Sequence, residues 1–128
     1  MKKETIFSSQ APAAVGPYVH AVKVGDTVYA SGQLGLIPET GELAEGVEAQ
    51  AEQSIKNIAA VLQAAGCDLG DVVKTTVFLA DMKDFAAINA VYEKYFHENP
   101  PARSCVQAAA LPKGGLFEME VIAVKCSK

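Results

Sequence analysis

The segment 100–124 most constrains the fold of this chain, because charged residues interrupt what otherwise read as two buried strands. It runs PPARSCVQAAALPKGGLFEMEVIAV, with a turn at 111–115 between the two apolar stretches. The charges within those stretches are Arg103, Glu118 and Glu120. Arginine and glutamate are rarely buried without a partner or a function. We therefore predict a hairpin whose charged residues have either a partner or a function, with the rest of the chain as its scaffold.

Two amphipathic helices are predicted between the strands. In Val47–Ala65 apolar residues recur at spacings of three and four, and Gly66 follows as a natural residue to end a helix. A second helix has Asp81 as its N-cap and stops by Asn99, because two prolines come next. Asn89 lies at the edge of the apolar stripe of that second helix, so its amide needs a polar partner.

Strands account for the remaining apolar runs. Residues 4–10 predict a short edge strand, and residues 20–31 predict a hairpin with a Gly-Asp turn. After a long connection at 34–46 and the first helix, residues 71–80 are apolar on both faces, which is typical of a central strand. The order ββ-α-β-α-ββ predicts one α+β domain over residues 1–128. Its sheet is mixed and mostly antiparallel, with both helices on one face.

The face of this sheet without helices is expected to be uncovered within a single chain. Its residues are not strongly polar, as Thr76, Phe78 and Val106 illustrate. A domain normally buries each apolar sheet face against a second layer. We therefore predict that other copies of the chain supply that layer in a closed homo-oligomer.

Composition excludes several classes of function. The 128 residues carry a net charge of −4 and no basic block, which gives nucleic-acid binding no support. No run approaches the roughly 20 apolar residues of a membrane span, and the first residues lack the apolar core of a signal peptide. Three widely spaced cysteines, Cys67, Cys105 and Cys126, predict no disulfide framework and favour a reducing cytoplasm. No metal-site spacing or phosphate-binding glycine loop occurs, so neither metal nor cofactor is expected.

The charged residues each admit two interpretations. Arg103 could hold the carboxylate of an acidic small molecule, since its planar fork matches two oxygens, or it could form a structural ion pair. Glu118 and Glu120 share one strand face, where one could activate water or both could form structural ion pairs. Cys105 shares a strand face with Arg103, and a cysteine in an apolar strand is more often inert than nucleophilic.

The polar residues near the N-terminus are more ambiguous. Tyr18 follows a Pro- and Gly-rich loop, where it could close over a ligand or pack at an interface. Ser31 and Gly32 end a strand, and small residues there let another group approach the backbone. His20 and His97 are predicted at the surface or at an interface.

Five segments, in order along nearly the whole chain, carry a family resemblance. They are APAAVGPY at 11–18, SGQ at 31–33, VKTTVF at 73–78, PARSCV at 101–106 and EMEVIAV at 118–124. Together they resemble the RidA (YjgF) family of reactive-intermediate deaminases. The resemblance implies a chorismate-mutase-like α+β fold and a homotrimer with ligand sites between subunits. It also implies hydrolysis of 2-imino acids, such as 2-iminobutanoate and 2-iminopropanoate, to 2-oxo acids and ammonia without a cofactor.

The same resemblance implies roles for individual residues. Arg103 corresponds to the arginine that clamps the substrate carboxylate, and Glu118 to the glutamate that holds the attacking water. Cys105 corresponds to a position whose backbone lies against the ligand. Four further residues correspond to positions that line the cleft: Tyr18, Ser31, Gly32 and Asn89. Two alternatives remain open, a ribonuclease or translation inhibitor and a non-enzymatic binder of 2-oxo acids.

Overall fold

The computed structural model describes residues 2–125, which form one six-stranded sheet with two α-helices. Cys126 lies outside the described residues. Along the sheet the strand order is β1-β2-β3-β6-β4-β5. Of the strand pairs in residues 2–125, four are antiparallel and one, β4 with β5, is parallel. The predicted α+β class and mixed sheet are confirmed. In chain order the elements are β1 (Lys3–Ile6), β2 (Ala21–Val24), β3 (Thr27–Leu34), α1 (Val47–Ala64), β4 (Val72–Leu79), α2 (Phe85–Tyr95), β5 (Ala102–Gln107) and β6 (Phe117–Val124).

The hairpin predicted within residues 100–124 is wrong. β6 lies between β3 and β4 and is antiparallel to both, whereas β5 lies at the sheet edge beside β4. The connection 108–116 carries the chain around the end of β4. There the Ala108 amide donates to the Leu79 carbonyl, and the Ala80 amide donates to the Leu116 carbonyl. A central place suits β6, because its alternate residues from Phe117 onward are all buried.

Helix α1 follows its predicted bounds closely. Its apolar stripe is completely buried at Ala51, Ile55 and Ile58, and α1 packs on β3 and β6. Gly66 has a φ of 83°. The Gly66 amide donates to the Gln63 carbonyl at 3.0 Å, and the next amide donates to the Leu62 carbonyl at 2.8 Å. These two bonds form a Schellman motif and confirm Gly66 as the residue that ends α1.

Polar residues on the buried side of α1 hold the chain that leaves β3. The Ser54 hydroxyl donates to the Gln33 carbonyl at 2.6 Å. The Asn57 amide donates to the carbonyls of Leu34 and Leu36 at 3.1 and 2.9 Å. Buried hydrogen bonds of this kind are costly to break. They therefore fix the end of β3, which borders the site described below.

Helix α2 begins three residues later than predicted, because Asp81 caps a 3₁₀ turn in front of α2 and not α2 itself. The Asp81 carboxylate accepts from the Lys83 amide and caps a 3₁₀ turn, Met82–Asp84, that leads directly into the helix. α2 ends at Tyr95, before the predicted limit at Asn99.

The N-terminal strands agree with the prediction in kind and differ in length. β1 is an edge strand, but it covers only Lys3–Ile6. β2 and β3 form the predicted hairpin, and Gly25 has a φ of 59° in its two-residue turn. β3 continues beyond Ser31 as far as Leu34, with an irregular register between Ala30 and Gln33.

The sheet face opposite the helices, here called the open face, carries exposed apolar side chains beside polar ones such as Glu120. Tyr29 is 51% exposed and Val106 is 45% exposed. Thr76 and Phe78 are half-buried on the same face. Within residues 2–125 no helix covers this face, as expected from its residues. The described part of the chain also contains no helix that is long and apolar enough to cross a membrane.

Candidate active site

Tyr18, Gly32 and Glu118 line one cavity at the end of β3 and β6. The cavity has a volume of about 530 Å³. Its other walls come from the loop before β2, the connection between β3 and α1, and the turn before β6, which contributes Lys113. Small-molecule sites in proteins commonly have volumes in this range. Three residues that are far apart in sequence therefore meet in a space suited to a small ligand.

Glu118 is the half-buried carboxylate of this cavity. Burial, and secondarily the negative charge of Glu120, raise the pKa of Glu118 above the ordinary value of 4.5. Glu120 lies on the same strand face but is exposed, and it does not line the cavity. Of the two glutamates, Glu118 is thus the one that faces an enclosed space. A raised pKa makes its carboxylate a better proton acceptor than an ordinary glutamate.

Gly32 allows the Glu118 carboxylate to occupy its position. A Cβ atom built on Gly32 would lie 2.8 Å from Oε2 of Glu118 and 3.0 Å from its carboxyl carbon. Any side chain at position 32 would therefore displace the carboxylate. Such a close approach is the reason that a glycine suits this strand position.

Ser31 and His20 hold the loop that carries Tyr18. The Ser31 hydroxyl donates to the Val19 carbonyl at 2.7 Å, so its oxygen remains an acceptor for a ligand. His20 is 3% exposed, which shows that its predicted surface or interface location is wrong. Its Nε2 bonds the Pro12 carbonyl at 2.7 Å, and its Nδ1 bonds the Ser8 amide at 3.0 Å. These two bonds connect Ser8 and Pro12, at the start of the loop, to His20 at its end.

Arg103 lies at a separate place, between β5 and α2. Its Nη1 donates to Oδ1 of Asn89 at 2.7 Å, which supplies the partner that the sequence required for Asn89. The guanidinium carbon lies 4.7 Å from the ring centre of Tyr92 and 5.4 Å from that of Phe85. Within residues 2–125 Arg103 forms no ion pair. The guanidinium is therefore held in place while its charge remains unneutralised by a carboxylate.

Cys105 lies two residues from Arg103 on the same strand face and is half-buried. Burial raises the pKa of the Cys105 thiol, and the positive charge of Arg103 partly opposes this effect. A thiol with a raised pKa is mostly protonated near neutral pH and is a poor nucleophile. Among the described residues no group of three or more His, Cys, Asp or Glu side chains could hold a metal ion.

Comparisons with known sequences and structures point to one family. A family model described as Endoribonuclease L-PSP matches residues 8–125. The structure of RidA from the Antarctic bacterium Psychrobacter is 56% identical, with a TM-score of 0.93 over 95% of this chain and 99% of that one.

The chain belongs to the RidA (YjgF) family.

Two other RidA relatives carry more specific names. A Salmonella typhimurium protein named 2-iminobutanoate/2-iminopropanoate deaminase is 52% identical over 125 residues, which cover 95% of this chain and 98% of that protein. The structure of Escherichia coli TdcF, which contains bound serine, is 46% identical with a TM-score of 0.93, over 96% of this chain and 99% of that one.

The two groups of site residues lie on opposite faces of the sheet in this RidA chain. Arg103 pairs in register with Thr75, which is completely buried beneath the helices. Glu118 pairs with Phe78 on the open face. Paired residues on neighbouring strands point to the same side of a sheet. Within a single chain, Arg103 and Glu118 therefore cannot contact the same small ligand.

The sequence does not single out three residues that lie at the candidate site. Phe85 and Tyr92 belong to the apolar stripe of the predicted second helix, and Lys113 lies in the predicted turn at 111–115. The spacing 85, 89, 92 places both rings on the helix face that carries Asn89, which was the available signal. No local signal marks Lys113, because the cavity forms only when the turn meets β3.

Proposed function

We propose that this chain hydrolyses reactive 2-imino acids, such as 2-iminobutanoate and 2-iminopropanoate, to 2-oxo acids and ammonia. The observation that carries the proposal is the guanidinium of Arg103, held by Asn89 and two aromatic rings without a carboxylate partner in residues 2–125. Such a fork is suited to a substrate carboxylate. The name of the Salmonella relative and the high identity over both chains support the same reaction.

The proposed active assembly is a homotrimer with each site between two subunits. Two features support it: the apolar open face, and the location of Arg103 and Glu118 on opposite faces of one sheet. In a closed ring, the edge of one protomer can bring Arg103 to the cavity of the next, which contains Glu118. The proposed site thus takes Arg103, Asn89 and Cys105 from one subunit and Tyr18, Ser31, Gly32 and Glu118 from its neighbour.

The proposed mechanism needs only positioning and one general base. Arg103 binds the carboxylate and orients the imine carbon. Glu118 takes a proton from water as the water oxygen bonds to that carbon, and the C=N electron pair moves to nitrogen, which receives the proton from Glu118. Glu118 then transfers the hydroxyl proton of the carbinolamine to its nitrogen, the C=O bond forms as the C–N bond breaks, and ammonia leaves. A positioned general base contributes about 10²–10⁴-fold in rate, and orientation of the substrate adds to it.

The direct test is ammonia release from an imine generated in place by threonine dehydratase. Purified protein should increase the rate of 2-oxobutanoate and ammonia formation above the uncatalysed hydrolysis of the released imine. Mass measurement in solution should give three copies of the chain. If the protein binds 2-oxobutanoate saturably but leaves the rate of imine hydrolysis unchanged, the result would instead support the non-enzymatic binder.

The pH dependence of this activity should report the environment of Glu118. Its raised pKa means that proton uptake, and hence loss of the base, begins at higher pH than for an ordinary glutamate. We expect the acid limb of kcat, measured where the substrate carboxylate neutralises Arg103 and corrected for uncatalysed hydrolysis, to have its midpoint above 4.5. Glu120→Gln removes one cause of the shift and should lower that midpoint, although Glu39 and Lys113 also line the cavity. An identical midpoint in the wild type and in Glu120→Gln would contradict the assignment of this acid limb to Glu118.

A ribonuclease is the second candidate, because the matching family model is described as Endoribonuclease L-PSP. The net charge of −4 and the absence of a basic block weigh against it, since phosphate backbones are bound mainly through Lys and Arg. RNA cleavage that persists through extensive purification and disappears in Arg103→Ala would favour this candidate.

We propose the cytoplasm as the location of the deaminase, and the free Cys67 and Cys105 are compatible with a reducing compartment.

A further inference from the structure

We propose that Phe85 and Tyr92 are positioning residues, which hold the Arg103 guanidinium in the plane needed to bind a substrate carboxylate. This inference rests on the proposed function. The two rings form an aromatic bracket, with the guanidinium carbon 5.4 Å from the ring centre of Phe85 and 4.7 Å from that of Tyr92. Both distances fall within the range of cation–π attraction.

Tyr92 is the buried half of the aromatic bracket. It is 8% exposed, its ring packs against Phe96 with centroids 4.6 Å apart, and its hydroxyl bonds the Thr75 hydroxyl at 2.8 Å. Thr75 lies on β4 directly beside Arg103 in the strand register. The Tyr92 ring is therefore hydrogen-bonded to β4, the strand beside Arg103. The positions of the ring and of the guanidinium thus depend on the same part of the sheet.

Hydrogen bonding in the plane of Arg103 complements the aromatic bracket. Asn89 uses one N–H of Nη1, and this is the only hydrogen bond of the Arg103 side chain within residues 2–125. A guanidinium has five N–H donors, so the others remain for a ligand. Contact with rings fixes the tilt of the guanidinium, and the bond to Asn89 fixes its rotation. Together they leave a fork of donors in one orientation, which lowers the entropy lost when a carboxylate binds.

Phe85 is the half that can be changed without disturbing the core. It is 38% exposed on the first turn of α2, whereas Tyr92 belongs to the buried cluster. Leucine at position 85 retains apolar bulk but has no aromatic face. Tyrosine retains the face. Exposed cation–π contacts are worth about a two- to fivefold change in an equilibrium constant.

The test compares Phe85→Leu with Phe85→Tyr in the intact protein. For Phe85→Leu we expect the Kd of 2-oxobutanoate and the KM of the imine to rise together about two- to fivefold, with kcat and Tm nearly unchanged. Phe85→Tyr should bind as the wild type does. A loss of kcat and Tm in Phe85→Leu with no change in Kd would overturn the inference and assign Phe85 to packing alone.

A double-mutant cycle shows whether Phe85 acts through the guanidinium. In an Arg103→Lys background, which lacks the planar guanidinium that contacts both rings, the penalty of Phe85→Leu on Kd should fall below about twofold. An equal penalty in both backgrounds would overturn the inference, because the ring would then act independently of Arg103. Weaker 2-oxobutanoate binding by Phe85→Leu in a protein that shows no imine turnover would refute the proposed function and leave this inference standing.

Discussion

Arg103→Ala should reduce kcat/KM for 2-imino acids by about 30- to 4,000-fold while the chain remains folded. Removing one partner of a desolvated, hydrogen-bonded charge pair typically costs 2–5 kcal/mol, and each 1.4 kcal/mol is tenfold. The fold should tolerate the change, because Arg103 forms no ion pair in residues 2–125 and its hydrogen-bond partner Asn89 is only half-buried. Steady-state ammonia release and isothermal binding of 2-oxobutanoate measure the effect.

Two variants control for charge and for geometry. Lys56→Ala removes a cation from the exposed side of α1 and should leave activity unchanged. Arg103→Lys keeps the charge but loses the planar fork, so it should recover only part of the activity. Wild-type turnover by Arg103→Ala would eliminate the proposed role of the guanidinium.

Glu118→Gln should lower kcat about 10²–10⁴-fold, because an amide cannot accept the proton of the attacking water. Glutamine has nearly the same shape, so it should still fit beside Gly32. Substrate affinity should change little, since Arg103 supplies the carboxylate contact. Single-turnover measurements with 2-iminobutanoate separate the chemical step from binding.

Stability distinguishes loss of the base from loss of the fold. A carboxyl whose pKa is raised by folding binds protons more tightly in the folded state, so the folded state loses stability as pH rises from the unfolded pKa through the folded one. Glu118→Gln removes this cost, and its Tm at neutral pH should equal or exceed that of the wild type. Glu120→Gln, on the same strand face, should retain most of the neutral-pH kcat. A larger loss of kcat in Glu120→Gln than in Glu118→Gln would reverse the assignment of the base.

Local features of the fold were predictable because they depend on residues within a turn of one another. The stripe of α1, its end at Gly66 and the Asp81 cap each follow from short-range spacing. The requirement for a polar partner at Asn89 was also predicted, and Arg103 meets it. The exposed apolar face likewise follows from alternation along single strands, as at Phe78.

Features that depend on distant segments were missed or mistaken. The alternation of apolar residues in 117–124 predicts a buried strand but does not indicate which strands lie beside it. The predicted pairing with the preceding strand, β5, is therefore wrong. His20 was assigned to the surface or an interface because nothing near it in sequence reveals that Pro12 and Ser8 fold back over its ring. The cavity beside Glu118 requires three connections to meet and has no sequence signature.

By itself the sequence determined the two helices, the strand segments, the apolar open face and, through its family motifs, the residues of the proposed site. Only the tertiary structure decided that β6 lies between β3 and β4, that Glu118 rather than Glu120 faces a cavity, and that Arg103 lies on the opposite side of the sheet from Glu118. The physical reason is that side-chain periodicity specifies how each segment buries its own apolar face, whereas strand order depends on which long-range pairings bury the most surface together.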